Sequence, residues 1–122
     1  MILDSNVVIY ACGAGREGEA ARAFVERHAP SASAVTVVET LGYHRLGEVE
    51  RAVLTAFFDS ATVYPVTADV IREAVRLRQQ RRLSLGDAFV AGTALALGLP
   101  LATRNLADFR WIGGLVLVDP FA

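Results

Sequence analysis

The stretch 83–109, L-S-L-G-D-A-F-V-A-G-T-A-L-A-L-G-L-P-L-A-T-R-N-L-A-D-F, decides the fold of this chain. Its centre, from residue 88 to residue 103, is uncharged and mostly apolar, and an acid stands at each end, Asp87 before it and Asp108 after it. Segments that are buried in a core usually lack charged residues at their ends. The two retained acids therefore suggest a role beyond packing.

Strand and helix patterns alternate along the rest of the chain. Ser84 is a favourable N-cap and Gly98 a favourable helix stop, so this stretch predicts a helix followed by a short buried strand at 101–103. Further strands are predicted at 1–3, 33–37, 62–65 and 115–118. Further helices are predicted at 7–12, 17–28, 48–59 and 67–82. Another helix is predicted to begin at a Thr36–Glu39 capping box and to end at about residue 46. The alternation favours one α/β domain over residues 1–122, with a short, mostly parallel sheet flanked by helices.

The composition excludes several classes of protein. A chain of 122 residues with 53% hydrophobic residues is long enough for one sizeable core and too apolar for disorder. The net charge of −1 gives no overall attraction to nucleic acid or membranes, so any such binding must come from a local patch. All 12 basic residues are arginine, which excludes mechanisms that need a catalytic lysine.

The cysteine content and the N-terminal sequence indicate a cytoplasmic protein. Cys12 is the only cysteine, so an intramolecular disulfide is impossible and a reducing compartment is expected. The first residues carry an acid where a signal peptide needs basic residues. The uncharged run at 88–103 has 16 residues and contains a glycine and a proline, whereas a membrane span needs about 20 mostly apolar residues.

Four acids occupy positions where helices are predicted to begin. Asp4 directly follows the first strand, where an N-cap is the ordinary role, worth about 1 kcal/mol. Glu39, Asp87 and Asp108 each stand three residues after a candidate capping residue, which is the spacing of a capping box. Taken one at a time, all four acids are explained by helix capping.

Taken together, the four acids predict a metal site. In a parallel sheet, the helix N-termini that follow strands gather at the carboxyl edge, where ligand sites form. Asp4, Glu39 and Asp108 each follow a predicted strand and can converge there, whereas the pattern alone does not place Asp87. Clustered carboxylates stay ionised only if cations compensate their charge, and hard oxygen ligands suit Mg²⁺ or Mn²⁺. Such a cation polarises a phosphoryl oxygen and helps to generate hydroxide, as phosphodiester hydrolysis requires.

Four segments also carry a family resemblance that covers essentially the whole chain. They are L-D-S-N at 3–6, V-V-E-T-L-G at 37–42, G-D-A-F-V-A-G-T-A-L at 86–95 and L-A-T-R-N-L-A-D-F at 101–109. In order and spacing the chain resembles the PIN-domain family, specifically the small VapC-type toxins of prokaryotic type II toxin–antitoxin pairs. The resemblance implies a Mg²⁺- or Mn²⁺-dependent endoribonuclease that cleaves RNA in the cytoplasm.

The resemblance also assigns roles to particular residues. It implies that the acidic, catalytic metal-site residues are Asp4, Glu39, Asp87 and Asp108. It implies that the polar residues supporting the site are Asn6, Thr103 and Asn105. Many PIN domains carry an acid where Asn105 stands, which leaves open whether one metal or two is bound.

Two protein partners are implied as well. The resemblance implies a cognate antitoxin, which could place an Arg or Lys into the acid cluster and anchor apolar side chains in a groove between helices 17–28 and 37–59. It also implies a homodimer, with Trp111 or the helix at 67–82 as possible contacts. The chain's one basic cluster ends that helix and is either a solvated helix end or a contact for RNA phosphates: Arg76, Arg78, Arg81 and Arg82.

Two other functions compete with a nuclease. A phosphatase with Asp4 as nucleophile is suggested by D-x-N after the first strand, but such enzymes usually have a second acid at the position of Asn6 and a lysine elsewhere. A non-enzymatic PIN-like binding module, with its acids acting only as caps, is the other alternative. Tight divalent-metal binding at the acid cluster would count against that module.

Overall fold

The computed structural model describes residues 1–13, 15–29 and 31–122, and helices and strands alternate along them. The strands are β1 (Ile2–Leu3), β2 (Ser31–Ser33), β3 (Thr62–Tyr64), β4 (Leu101–Ala102) and β5 (Leu117–Val118). The helices are α1 (Ser5–Ala11), α2 (Gly15–Arg27), α3 (Ala34–Leu41), α4 (Glu48–Ser60), α5 (Ala68–Gln80), α6 (Leu85–Leu97) and α7 (Leu106–Phe109).

All strand pairs are parallel. One sheet has the order β1-β4-β5, and β2 pairs with β3 in a second. The two sheets adjoin, since the Ser31 hydroxyl donates a hydrogen bond to the carbonyl of Met1, the residue before β1. This arrangement confirms the predicted α/β fold with short parallel strands flanked by helices. In the first sheet Leu3 is in register with Ala102, so the residues that follow them, Asp4 and Thr103, are neighbours at the carboxyl edge.

Both faces of the β1-β4-β5 sheet are buried, as is usual for parallel strands. Ile2 and Leu101 pack on one face in a cluster that includes Phe109. Leu3 and Ala102 pack on the other face against α1 and the aromatic side chains of α2 and α4. Burying one such large side chain contributes about 1.5–3 kcal/mol, so a one-residue slip of either strand would be costly. These two packed faces fix the edge where the acids lie.

Helix α6 forms the centre of the structure, as its apolar sequence predicts. The Ser84 hydroxyl accepts a hydrogen bond from the backbone N–H of Asp87 at 3.1 Å, and Gly98 ends the helix with a φ of 66°. Both predicted helix ends are therefore confirmed. Gly92 faces α5 so closely that a Cβ there would lie 3.1 Å from backbone atoms of Val70 and Ala74. None of the helices in the described residues has the length and apolarity needed to cross a membrane.

The predicted strand at 33–37 is wrong. The strand lies earlier, at Ser31–Ser33, and the following helix begins at once, because the Ser33 hydroxyl accepts a hydrogen bond from the N–H of Val35 at 3.1 Å. The predicted Thr36–Glu39 capping box is therefore also wrong, since both residues lie inside α3. That helix ends at Leu41 rather than near residue 46.

Candidate metal centre

Asp4 is a buried carboxylate that does not cap its helix. It occupies the N-cap position of α1 but makes no capping hydrogen bond through its side chain, and only 4% of its surface is exposed. Its Oδ2 instead accepts a hydrogen bond from Thr103 Oγ1 at 2.9 Å. Thr103 Oγ1 in turn accepts one from the N–H of Asn105 at 3.0 Å. The parallel pairing of β1 and β4 thus holds Asp4 in place through Thr103.

The surroundings of Asp4 disfavour its ionised form. Burial, together with smaller contributions from the charges of Asp87 and Glu39, raises the pKa of Asp4 from 3.8 to about 6, against the opposing effect of hydrogen bonds from Thr103 and the Ser5 backbone. A carboxylate kept in such a place costs stability at neutral pH. A cation that neutralises it would recover that cost.

The raised pKa of Asp4 predicts a pH-dependent gain in stability for Asp4→Asn. Folded Asp4 binds its proton more tightly than the unfolded chain does, so the free energy of unfolding should fall as pH rises from about 3.8 to about 6, and then level off. The amide still accepts from Thr103 but carries no charge. In urea denaturation without divalent metal, Asp4→Asn should gain about 2.5 kcal/mol on wild type between pH 4 and pH 7.5.

The exposed acid Asp59, on α4, provides the matched control for this measurement. Asp59→Asn should show no comparable pH-dependent gain over wild type. A stability difference between Asp4→Asn and wild type that stayed constant from pH 4 to pH 7.5 would refute the assignment of a raised pKa to Asp4.

Glu39 reaches the same edge from the middle of α3. Its Oε1 lies 2.9 Å from Ser5 Oγ, and Ser5 Oγ also lies 3.2 Å from Thr36 Oγ1. The Ser5 hydroxyl has one proton and donates it to the Glu39 carboxylate, which can only accept. The Thr36 hydroxyl can instead donate its own proton to Ser5. Gly86 provides the space for Glu39, since a Cβ at Gly86 would come within 2.2 Å of Glu39 Oε2.

The sequence interpretation singled out neither Ser5 nor Gly86 as a functional residue. Each directly neighbours a predicted acid in the chain, Asp4 and Asp87 respectively. That adjacency, within the family segments 3–6 and 86–95, was the available signal, because their contacts with Glu39 join segments more than 30 residues apart.

Asp87 joins the cluster from the first turn of α6. The helix precedes β4 and packs against the sheet, so its N-terminus returns to the carboxyl edge of the strands. Burial raises the pKa of Asp87, and the charges of Asp108 and Glu39 add to that effect, while a hydrogen bond with Ser84 opposes it. The structure therefore places Asp87 near the other acids, a position that the sequence pattern alone did not predict.

The remaining predicted residues lie at the starts of α1 and α7. Asp108 is exposed on α7 and close enough to Asp87 to act on its pKa. Asn6, in the first turn of α1, and Asn105, which precedes α7, are both exposed. Their side chains make no hydrogen bond to protein within the part of the chain that the structure describes.

The four acids thus form one electrostatically coupled group. The charges of Asp87 and Glu39 act on Asp4, and those of Asp108 and Glu39 act on Asp87. As the side chains stand in residues 1–13, 15–29 and 31–122, no three His, Cys, Asp or Glu groups are close enough to form a complete ligand set for one ion. Carboxylate oxygens completed by water are nevertheless the donors that Mg²⁺ and Mn²⁺ prefer.

Comparison with known proteins identifies the family of the chain. The family model of the PIN domain matches residues 1–114, nearly the whole sequence. The chain therefore belongs to the PIN-domain family, as the four segments with their acids indicated. Among curated proteins, no sequence gives a significant match.

Solved structures with the same fold include chains of toxin–antitoxin assemblies. A chain from a toxin–antitoxin complex of Klebsiella pneumoniae has 27% identity and a TM-score of 0.76, covering 98% of this chain and 96% of that one. A chain of DNA-bound VapBC from Salmonella typhimurium has 21% identity and a TM-score of 0.83, with coverage of 98% and 96%. A chain of VapBC-1 from nontypeable Haemophilus influenzae has 20% identity and a TM-score of 0.77, with coverage of 99% and 98%.

Proposed function

We propose that this PIN domain is a Mg²⁺- or Mn²⁺-dependent endoribonuclease toxin that a cognate antitoxin neutralises. The observation that carries the proposal is the convergence of four acids from α1, α3, α6 and α7 at one edge of the sheet. Burial, with the charges of Asp87 and Glu39, raises the pKa of Asp4 to about 6, and burial, with the charges of Asp108 and Glu39, raises that of Asp87. A fold rarely retains such mutual repulsion at one edge of a sheet unless a bound cation offsets it.

In this proposal each acid has a distinct support. Thr103 fixes the buried Asp4, and the Ser5 hydroxyl together with the space at Gly86 orients Glu39. When bound, the cation would polarise a phosphoryl oxygen and lower the pKa of a coordinated water. The acids would hold the cation against the RNA backbone.

A shared cation requires the acids to move closer together. Glu39 and Asp108 are exposed, so their side chains have room to rotate towards Asp4 and Asp87. The mutual repulsion that keeps carboxylates apart vanishes once a divalent ion neutralises them. The chemistry of the donor set therefore suits Mg²⁺ or Mn²⁺, with Glu39 and Asp108 turned towards Asp4 and Asp87.

Metal binding should be measurable as thermal stabilisation. Millimolar Mn²⁺ or Mg²⁺ at pH 7.5 is expected to raise the melting temperature of the wild-type protein, because a ligand that binds only the native state stabilises it by mass action. At a hundredfold excess over Kd the gain is about 2.7 kcal/mol. Differential scanning fluorimetry with Mn²⁺, and with EDTA as the reference, measures the shift.

The double variant Asp4→Asn/Asp87→Asn separates binding at the acid cluster from other ion effects. It should lose the metal-dependent shift even if its melting temperature in EDTA exceeds that of wild type. An equal shift in the double variant, or no shift in wild type, would remove the support for a metal at these acids.

An apolar groove beside the acid cluster supports the antitoxin part of the proposal. The groove has a volume of about 570 Å³ and a mostly apolar lining. It is lined by Ile9, Cys12, Gly13, Glu39, Thr40, Tyr43, Leu46, Glu50 and Leu54. Because Glu39 belongs both to this groove and to the acid cluster, an occupant anchored in the groove can extend an Arg or Lys to the acids.

The position of this groove differs in part from the sequence prediction. Residues of the predicted 37–59 segment line it, but the other wall comes from α1 and the turn after it rather than from the 17–28 helix. Phe24 and Phe58, apolar side chains of these two predicted segments, are buried in the core. The relatives from Klebsiella pneumoniae and Salmonella typhimurium come from complexes with antitoxins, which is the arrangement proposed here. The homodimer stays a prediction.

A further inference from the structure

A second, polar groove lies between the segment that follows α5, the start of α6 and α7. It has a volume of about 280 Å³ and combines two arginines, a tryptophan and two of the acids. This arginine groove is lined by Arg81, Arg82, Leu83, Ser84, Asp87, Ala107, Asp108 and Trp111. Because Asp87 and Asp108 form one of its walls, anything bound in it lies directly beside the candidate metal centre.

The structure separates the four arginines of the basic cluster into two pairs. Arg76 forms an ion pair with Glu73 at 2.6 Å, and Arg78 Nε donates a hydrogen bond to the carbonyl of Leu83 at 3.2 Å. These two have intramolecular partners. Arg81 and Arg82 are exposed, and within the described residues neither makes a salt bridge. Their charges are available to an anionic ligand in the groove.

In the arginine groove, Arg81 lies over the indole of Trp111, and the two side chains form the Arg81–Trp111 platform. The Trp111 Nε1–H donates to the carbonyl of Asp108 at 2.9 Å, which ties the indole to the turn that carries an acid of the cluster. The guanidinium carbon of Arg81 lies over the indole, 4.8 Å from the ring centroid. A guanidinium plane supported in this way is a surface on which an unpaired nucleobase can stack.

We propose that the arginine groove is a subsite for one nucleotide of single-stranded RNA next to the cleaved phosphate. In this subsite Arg82 binds a backbone phosphate, and the Arg81–Trp111 platform stacks the base. The inference rests on the proposed nuclease function, and it specifies the substrate as unpaired RNA. A duplex offers no free base face to the platform, so the groove discriminates against it.

Binding measurements with single and double variants test the subsite. In an Asp4→Asn background with Mg²⁺, Arg81→Ala and Arg82→Ala are each expected to weaken binding of a fluorescent single-stranded 12-mer RNA at least fivefold. Arg82→Ala should also reduce the slope of log K against log salt by about 0.7, the loss of one single-strand phosphate contact. Arg72→Ala is the matched control, because Arg72 lies on α5, the helix that Arg81 and Arg82 directly follow, and pairs with Asp69. Fluorescence anisotropy at several salt concentrations measures both quantities.

A third variant tests the stacking part separately. Arg81→Lys keeps the charge but lacks the planar guanidinium, so it should weaken binding of normal RNA more than binding of the same RNA with abasic sites. Equal weakening for both RNAs would show that Arg81 acts only as a charge and would overturn the platform.

The other outcomes also decide the question. The subsite would be overturned if the double variant Arg81→Ala/Arg82→Ala bound single-stranded RNA as tightly as Arg72→Ala does. It would also be overturned if duplex RNA bound as tightly as single-stranded RNA. Loss of affinity for an acidic peptide without loss for RNA would assign the groove to a protein partner and overturn it too. If wild type binds RNA through the groove but does not cleave it, the nuclease proposal fails while the subsite stands.

Discussion

Asp4→Asn and Asp87→Asn are each expected to reduce RNA cleavage in Mg²⁺ at least a hundredfold, about 2.7 kcal/mol of transition-state stabilisation. The amides keep the size of the side chains, but they remove the charge that would hold the cation at the sheet edge. The single-turnover cleavage rate of a single-stranded RNA measures the effect. At pH 7.5 without divalent metal Asp4→Asn should be more stable than wild type, so a folding defect of the variant cannot explain its loss of activity.

A graded series makes this test specific. Asp59→Asn, an exposed change on α4, should cleave at the wild-type rate. Thr103→Val removes only the hydroxyl that orients Asp4 and should lose about 10–100-fold, as is usual for residues that position a metal ligand. Wild-type cleavage by either Asp4→Asn or Asp87→Asn would show that the acids are not the catalytic site.

Ile9→Arg is expected to produce a toxin that its antitoxin no longer neutralises. Ile9 lines the apolar groove and is 53% exposed, so the arginine can be solvated in the free protein but would bury a charge when an apolar segment docks. Affinity for the antitoxin encoded beside it should fall at least a hundredfold while RNA cleavage is unchanged. Calorimetry and growth after co-expression measure the two effects.

The comparison with a similar surface change isolates the groove. Val116→Arg places a charge at an equally accessible apolar residue, 62% exposed, outside the groove. Expression of wild type or Val116→Arg alone should be toxic, and co-expression of the antitoxin should restore growth and allow co-purification. If the antitoxin neutralised Ile9→Arg as efficiently as wild type, its binding site would lie outside the apolar groove. A wild-type chain that causes no growth defect and does not co-purify would favour the non-enzymatic module.

The fold follows from local signals where those signals are strong. Ser84 and Gly98 determine the ends of α6 through a side-chain cap and a left-handed residue, so the sequence predicts them correctly. The order of strands and helices follows from the alternation of short apolar runs and amphipathic segments. Membership in the PIN-domain family confirms the resemblance that the acid-containing segments indicated.

The sequence interpretation failed where two local signals competed. At 33–37 the β-branched residues favour a strand, and Ser33 and Thr36 are both acceptable N-caps. The structure ends the strand at Ser33 because β2 pairs with β3 only as far as Tyr64, its partner in register. Tertiary pairing thus overrode the local β preference, and Thr36 became a buried helical residue.

The candidate site contains parts that no local pattern could reveal. Asp87 reaches the carboxyl edge because α6 runs back along the sheet, a consequence of topology rather than of nearby sequence. Ser5 and Gly86 meet Glu39 across more than 30 residues of chain. Helix starts in parallel α/β folds gather at one edge, and this rule fits Asp4 and Asp108. Glu39 instead lies inside α3, and Asp87 was assigned only through the family resemblance. The residues that orient the acids act through non-local contacts.

The placement of a cation among the four acids can be observed directly. Anomalous scattering from a crystal grown with Mn²⁺ at pH 7.5 should show a peak bound by Asp4 and Asp87, with Glu39 and Asp108 turned towards it or towards its waters. A peak elsewhere, or no peak while the four carboxylates are well ordered, would contradict a metal-dependent active site at this edge of the sheet.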